Sequence, residues 1–250
     1  MGLVGDLLER AARATPVAVD DRRTGWWLRH TDNGTWWSGA VLAHGAGDDL
    51  AGRIAAAERF YAERDAVARF QVCADCPAGL DRSLAERGYR WAAPISLLTA
   101  AGEAPAGAQT PPGTAVRVDA FPGTDWLAVL SATSKPGTDV RHETRHHRRV
   151  DSPQAYVTVL AGGEPVGIGR AVAEGGWTGV FTMVTTPEAR RRGVARLVLS
   201  AIAGWAVTHD ADRLYLQVEQ SNDAACRLYE AAGFRPLATY HYRVGVGPTS

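Results

Sequence analysis

The run Thr185-Thr186-Pro187-Glu188-Ala189-Arg190-Arg191-Arg192-Gly193-Val194-Ala195 lies between a strand-like segment, Trp177 to Val184, and an amphipathic one. Val194, Leu197, Val198, Ala201, Ile202 and Trp205 recur at three- and four-residue spacing, which predicts a helix from about Gly193 to His209. A glycine followed by small residues at a helix start lets a ligand approach the backbone. The first-turn N–H groups have no partner inside the helix, and the helix dipole adds partial positive charge there. With the neighbouring arginines this is phosphate-binding chemistry built mainly from backbone. Two other groupings invite chemistry. The tract Arg141-His142-Glu143-Thr144-Arg145-His146-His147-Arg148-Arg149 is either a solvated face or a wall for an acidic or phosphorylated ligand. Cys73-Ala74-Asp75-Cys76 has a spacing used in metal and redox sites, but no second ligand pair accompanies it, so no metal is expected.

A second motif follows the strand-like run Leu214 to Glu219: Asn222-Asp223-Ala224-Ala225-Cys226-Arg227-Leu228-Tyr229-Glu230-Ala231-Ala232-Gly233-Phe234. Together the two motifs resemble the GNAT superfamily of acyl-CoA-dependent N-acyltransferases. The loop matches that family's pyrophosphate motif at Arg190, Gly193 and Ala195. The later segment matches its Asn-x-x-Ala-x-x-Leu-Tyr-x-x-x-Gly-Phe signature. The resemblance covers roughly Ala115 to Val244 and implies acetyl-CoA as co-substrate, with no metal. It implies that the backbone of Arg191, Arg192, Gly193, Val194, Ala195 and Arg196, with Arg190 beside it, holds the pyrophosphate. Met183 and Val184 would sit on a strand that splays from its neighbour, pair with the pantetheine arm and polarise the thioester carbonyl. Asn222 would help hold the pantetheine, and Tyr229 would act as general acid toward the departing thiolate. Cys226 is expected to be a packed small residue, since the amine attacks directly.

The base is less clearly marked. An amine near its reference pKa of about 10 must lose a proton before it attacks. Some relatives carry a glutamate twelve residues before the tyrosine, where this chain has Gln217. Glu219 shares that side of the strand by alternation and is the first candidate base. A water chain, or His142, Glu143 or His146, are the alternatives. The resemblance leaves the acceptor open: a primary amine of a small molecule is the expectation, a peptide or protein amine the alternative. A CoA-binding sensor without turnover is the competing class.

These residues need a scaffold. Leu3, Val4, Leu7, Leu8 and Ala11 predict a first helix, and Leu50, Ile54, Ala57 and Tyr61 a second. Trp26-Trp27-Leu28 and Trp36-Trp37 flank Asp32-Asn33-Gly34, a hairpin signal. Strands are expected at Arg69–Cys73, Ile95–Thr99, around Val116 and Val118, at Ala155–Leu160, Val166–Ala173, Trp177–Val184 and Arg213–Glu219, and around 239–244. Further helices are expected at Leu80–Arg87, Asp125–Ser134 and Asn222–Ala232. This is a mixed α/β pattern with helices flanking a mixed sheet. Phe70-Gln71-Val72 followed by Leu84 to Arg90 parallels Leu216-Gln217-Val218 followed by Tyr229 to Arg235. The reading is therefore tandem: a degenerate GNAT-like domain at 1–100, a linker at 101–114 and a catalytic domain at 115–250.

Composition narrows the partners. With 46% hydrophobic and 22% charged residues, the chain is neither disordered nor fibrous. Basic and acidic residues balance at 27 each, which argues against nucleic acid or an anionic membrane as partner. No apolar run approaches the roughly 20 residues of a membrane span. The 3 cysteines and the absence of a signal-peptide pattern lead to the expectation of a cytoplasmic enzyme. Lys135 is the only lysine, yet the arginines gather at 190–196 and 141–149, a clustering that coding bias does not explain.

Overall fold

The computed structural model describes residues 2–22, 25–32, 37–45, 49–103, 105, 107–135 and 138–246. The chain packs into two compact units: Met1–Leu97 with Glu219–Ser221 and Leu237–Ser250, and Leu98–Val218 with Asn222–Pro236. Each unit contains parallel and antiparallel strand pairs and a β-α-β crossover, and each is described by itself.

In the first unit, α1 (Leu3–Ala14) buries Leu7, Leu8 and Ala11, the apolar stripe its spacing predicts. β1 (Val19–Asp21) pairs antiparallel with β2 (Leu28–His30), and Trp27 bridges Leu42. The proposed Asn33-Gly34 turn and Trp36 lie outside the described residues. Trp26 and Trp27 are buried, Trp26 edge-on to Phe70 at 6.1 Å, so these tryptophans are core. β3 (Val41–Leu42), α2 (Leu50–Ala62) and β4 (Arg69–Val72) form the crossover, with β3 parallel to β4. α3 (Leu80–Glu86) leads into β5 (Arg90–Ala101), and β4 also pairs antiparallel with β11 (Arg235–Val244) at residues 241–244.

The second unit starts with β6 (Thr114–Asp119), α4 (Thr124–Thr133), α5 (Val140–Thr144) and a 3-10 turn at Arg145–Arg149. The antiparallel meander β7 (Gln154–Ala161), β8 (Glu164–Glu174) and β9 (Trp177–Thr185) follows. Then come α6 (Val194–Val207), β10 (Arg213–Glu219), parallel to β9, and α7 (Asp223–Ala231). Within the 101–114 stretch, Ala108 N–H donates to Ser200 Oγ on α6 at 3.2 Å. Alternation along the strands sorts the core. Ala155, Val157 and Val159 face α6 and α7, whereas Tyr156 and Ile168 face Trp126 and Val129 of α4. Gly167 and Gly169 let α6 lie close on the sheet, because a Cβ at either would collide with Val194 or Val198.

The two short helices named in the repeat end alike. Gly88 N–H donates to Ala85 O and Tyr89 N–H to Leu84 O; Gly233 N–H donates to Glu230 O and Phe234 N–H to Tyr229 O. Both are the paired-bond helix terminus that a left-handed glycine permits, and both glycines have positive φ. Among the described residues no helix is long and apolar enough to cross a membrane.

Candidate active site

β9 and β10 pair in parallel only over Trp177–Gly179 against Arg213–Tyr215. Beyond that, among the described residues, their C-terminal halves share no ladder pair. A bulge bends β9 away: its register with β8 shifts between Ile168 and Arg170, and Thr182 has a φ of 50°. After the bulge Met183 packs on the α6 side and Val184 on the α4 side. The free edge of β9 at these residues can pair with an extended ligand. Phe181 and Tyr215 stand at the root of this fork, edge to face at 6.3 Å.

The arginine loop follows β9 directly. A 3-10 turn spans Pro187–Ala189, Arg191 adopts a φ of 60°, and Gly193 precedes α6 with φ 81° and ψ −2°. Arg190 N–H donates to Pro187 O, and Arg196 and Leu197 N–H donate to Gly193 O. None of the backbone bonds in this segment uses the N–H groups of Arg191 to Ala195. A Cβ at Gly193 would meet nothing within 4 Å, so the chain is open on that side. Arg190, Arg191, Arg192 and Arg196 are exposed and have no ion pair among the described residues. A run of N–H groups without backbone partners at a helix start, beside unpaired arginines, suits a pyrophosphate.

Tyr229, on α7, is 7% exposed and packs edge-on to Phe234 at 5.8 Å. Its hydroxyl has no hydrogen bond among the described residues and is not among the fully buried unpartnered atoms, so it reaches the surface. Burial pushes its pKa up to about 12, so it stays protonated at neutral pH. Asn222 caps α7, its side-chain oxygen accepting Ala225 N–H at 3.1 Å, which leaves its amide nitrogen as a donor. Glu219 is exposed at the end of β10, and Gln217 lies two residues before it. Cys226 is half-buried against the α6 core. The side chains of His142 and Glu143 lie outside the described residues.

Residues 125–234 match the Acetyltransferase (GNAT) family. These residues form a GNAT acetyltransferase domain. The chain is also 24% identical to the Uncharacterized N-acetyltransferase YobR of Bacillus subtilis (strain 168), over 95% of this chain and 97% of that protein. Its fold is that of a GCN5-related N-acetyltransferase from Kribbella flavida, at a TM-score of 0.73 and 20% identity over 100% of this chain and 97% of that one. A tandem GNAT protein from the clavulanic acid biosynthesis pathway matches at a TM-score of 0.65 and 12% identity, over 80% of this chain and 70% of that one. The matched domain and the N-acetyltransferase relative support an acyltransferase.

The GNAT domain also holds a polar network that the sequence reading did not pick out. Tyr156, Arg170 and Phe181 are cross-strand neighbours on β7, β8 and β9. Arg170 is fully buried; its Nη2 donates to Gln154 Oε1 at 2.6 Å and its Nε to the Tyr156 hydroxyl at 3.2 Å. The guanidinium lies 5.7 Å from the Phe181 ring centroid, a cation–π distance. The Tyr156 hydroxyl meets His147 Nδ1 at 3.1 Å. The available signal was an arginine at an inward position of the apolar run Val166 to Ala173. In the 141–149 tract, His147 thus belongs to this network, while Arg145, Arg148 and Arg149 are exposed.

Burial, Arg170 and His146 hold the His147 pKa down at about 3. The native state refuses a proton that the unfolded chain accepts below about pH 6.5. Stability from this source is complete above that pH and falls as pH drops toward the native value. The slope approaches about 1.4 kcal/mol per pH unit. His147→Gln is expected to flatten this acid-side loss, measured as urea midpoints of both proteins between about pH 7 and 5. Parallel loss in both proteins would show that His147 titrates normally.

Proposed function

We propose that the GNAT domain transfers an acetyl group from acetyl-CoA to a primary amine of a small molecule, by direct attack in a ternary complex. The observation that carries this reading is the arrangement of one compact unit. It combines an unpaired strand fork, a helix start with unused N–H groups and a buried, protonated tyrosine whose hydroxyl reaches the surface.

In this reading the N–H groups of Arg191 to Ala195 bind the pyrophosphate, with Arg190, Arg192 and Arg196 adding charge. Met183 and Val184 supply backbone groups that align the pantetheine arm, and a β9 N–H polarises the thioester carbonyl. Asn222 donates its amide to the same arm. Tyr229 gives its proton to the leaving thiolate. Glu219, the only carboxylate of β10, is the candidate base, with water as the alternative route. The chain divides by function into a GNAT-like copy without the chemistry at 1–100, a connecting segment at 101–114 and the transferase at 115–250. The matching helix ends at Gly88 and Gly233 support the copy. A cytoplasmic setting is part of the proposal and agrees with three cysteines that form no disulfide.

The test is thiol release from acetyl-CoA across a panel of small amines and short peptides. Turnover on small amines, with initial-rate lines that intersect when both substrates are varied, supports the reading. Parallel lines would indicate an acyl-enzyme, turnover on peptides alone would reassign the acceptor, and binding without turnover would favour the sensor.

A further inference from the structure

The Cys73-x-x-Cys76 spacing lacks a second ligand pair in sequence, but the first unit supplies a ligand from elsewhere. β3 and β4 are parallel, with Val41 beside Phe70 and Leu42 beside Gln71. Continued by two residues, that register sets His44 beside Cys73. Both residues then leave the carboxyl ends of adjacent parallel strands, a position where α/β proteins commonly build sites. Three ligand atoms, one each from His44, Cys73 and Cys76, all lie within 4.8 Å of one another.

The details fit a tetrahedral metal. The two sulfurs are 3.7 Å apart. Two thiolates each about 2.3 Å from a tetrahedral zinc would stand about 3.8 Å apart. The His44 side chain is 3% exposed, and its Nδ1 lies 3.3 Å from Glu9 Oε1 on α1. Its Nε2 is buried without a hydrogen-bond partner. A carboxylate on one ring nitrogen with the other unengaged is how metal-bound histidines are usually oriented. Cys73 N–H donates to Cys76 Sγ at 3.3 Å, which would stabilise a thiolate. Asp75 Oδ2 accepts Gly5 N–H at 2.7 Å and so ties α1, the helix that carries Glu9, to the Cys-x-x-Cys turn. A cavity of about 440 Å³ lined by Cys73, Cys76, Pro77 and Leu80 adjoins these residues and leaves room for a fourth ligand.

We infer that His44, Cys73 and Cys76 form a zinc site, with the fourth position open to this cavity for water or a small ligand. The inference is independent of the transferase reading. Soft thiolates with one imidazole select zinc over hard cations, and binding would release the thiol protons.

The full chain, stripped with chelator and kept reduced, is titrated with zinc against a chromophoric chelator and, separately, with cobalt. One zinc per chain is expected, along with thiolate-to-cobalt charge-transfer absorption and tetrahedral visible bands. Cys73→Ser should weaken zinc binding by about 100-fold or more, with folding checked by circular dichroism. Cys226→Ser, which changes the third thiol, should bind like wild type and keep the readout interpretable if the Cys73 variant unfolds. Failure of the reduced protein to take up zinc would overturn the site. So would cobalt binding without sulfur charge transfer, equal affinity in the Cys73→Ser/Cys76→Ser double variant, or loss of binding in Cys226→Ser.

Discussion

Tyr229→Phe is expected to lower kcat about 100-fold while leaving the directly measured Kd for acetyl-CoA nearly unchanged. The ring is 7% exposed and held edge-on by Phe234, so phenylalanine preserves the packing and removes one oxygen. The lost step is proton delivery to the thiolate, and a positioned acid contributes about 10²–10⁴-fold. A 100-fold loss equals about 2.7 kcal/mol of transition-state stabilisation. The acid must hold its proton to give it. With the native pKa raised to about 12, Tyr229 stays loaded across the neutral range. Wild-type kcat should therefore show no alkaline decline from this group until the pH approaches that value. Steady-state kinetics with calorimetric binding separates the effects. An unchanged kcat would remove Tyr229 from the chemistry, and a matching rise in Kd would make it a binding residue.

The second unit was largely legible because its signals are local. The helix from Val194 to Val207 and the strands of the meander follow from apolar period, and the two motifs fall at a helix start and on a helix. The fork itself followed from the family resemblance, since strand pairing leaves no mark in composition. Three features escaped because they depend on register or on distant chain. Arg170 reads as a polar interruption until β7 and β9 place Tyr156 and Phe181 beside it. His44 is a lone histidine near Gly45 until the fold brings it within 4.8 Å of the Cys73 and Cys76 ligand atoms. The pairing of β11 residues 241–244 with β4 has no sequence signal, because a strand's pattern does not name its partner. Glu219 remains a candidate on chain position alone.

Gly193→Val is expected to raise the KM for acetyl-CoA about 10–100-fold with kcat at saturation nearly retained. Gly193 has a φ of 81°, and Arg191, two residues earlier, has a φ of 60°, so the loop turns through two left-handed positions before α6. A non-glycine residue in that region costs about 1–2 kcal/mol, and a branched Cβ is worse than alanine. The protein itself does not crowd the site, since a Cβ there meets nothing within 4 Å. The valine methyls would instead occupy the open side of the loop, beside the N–H groups proposed to bind pyrophosphate. Two variants separate strain from obstruction. Gly193→Ala carries most of the backbone strain but little bulk, so it should lower the urea midpoint almost as much as valine does. Its KM should rise far less if obstruction dominates. Equal KM changes in both variants would assign the effect to loop geometry. An unchanged KM in Gly193→Val, with the protein folded, would remove this helix start from the acetyl-CoA site.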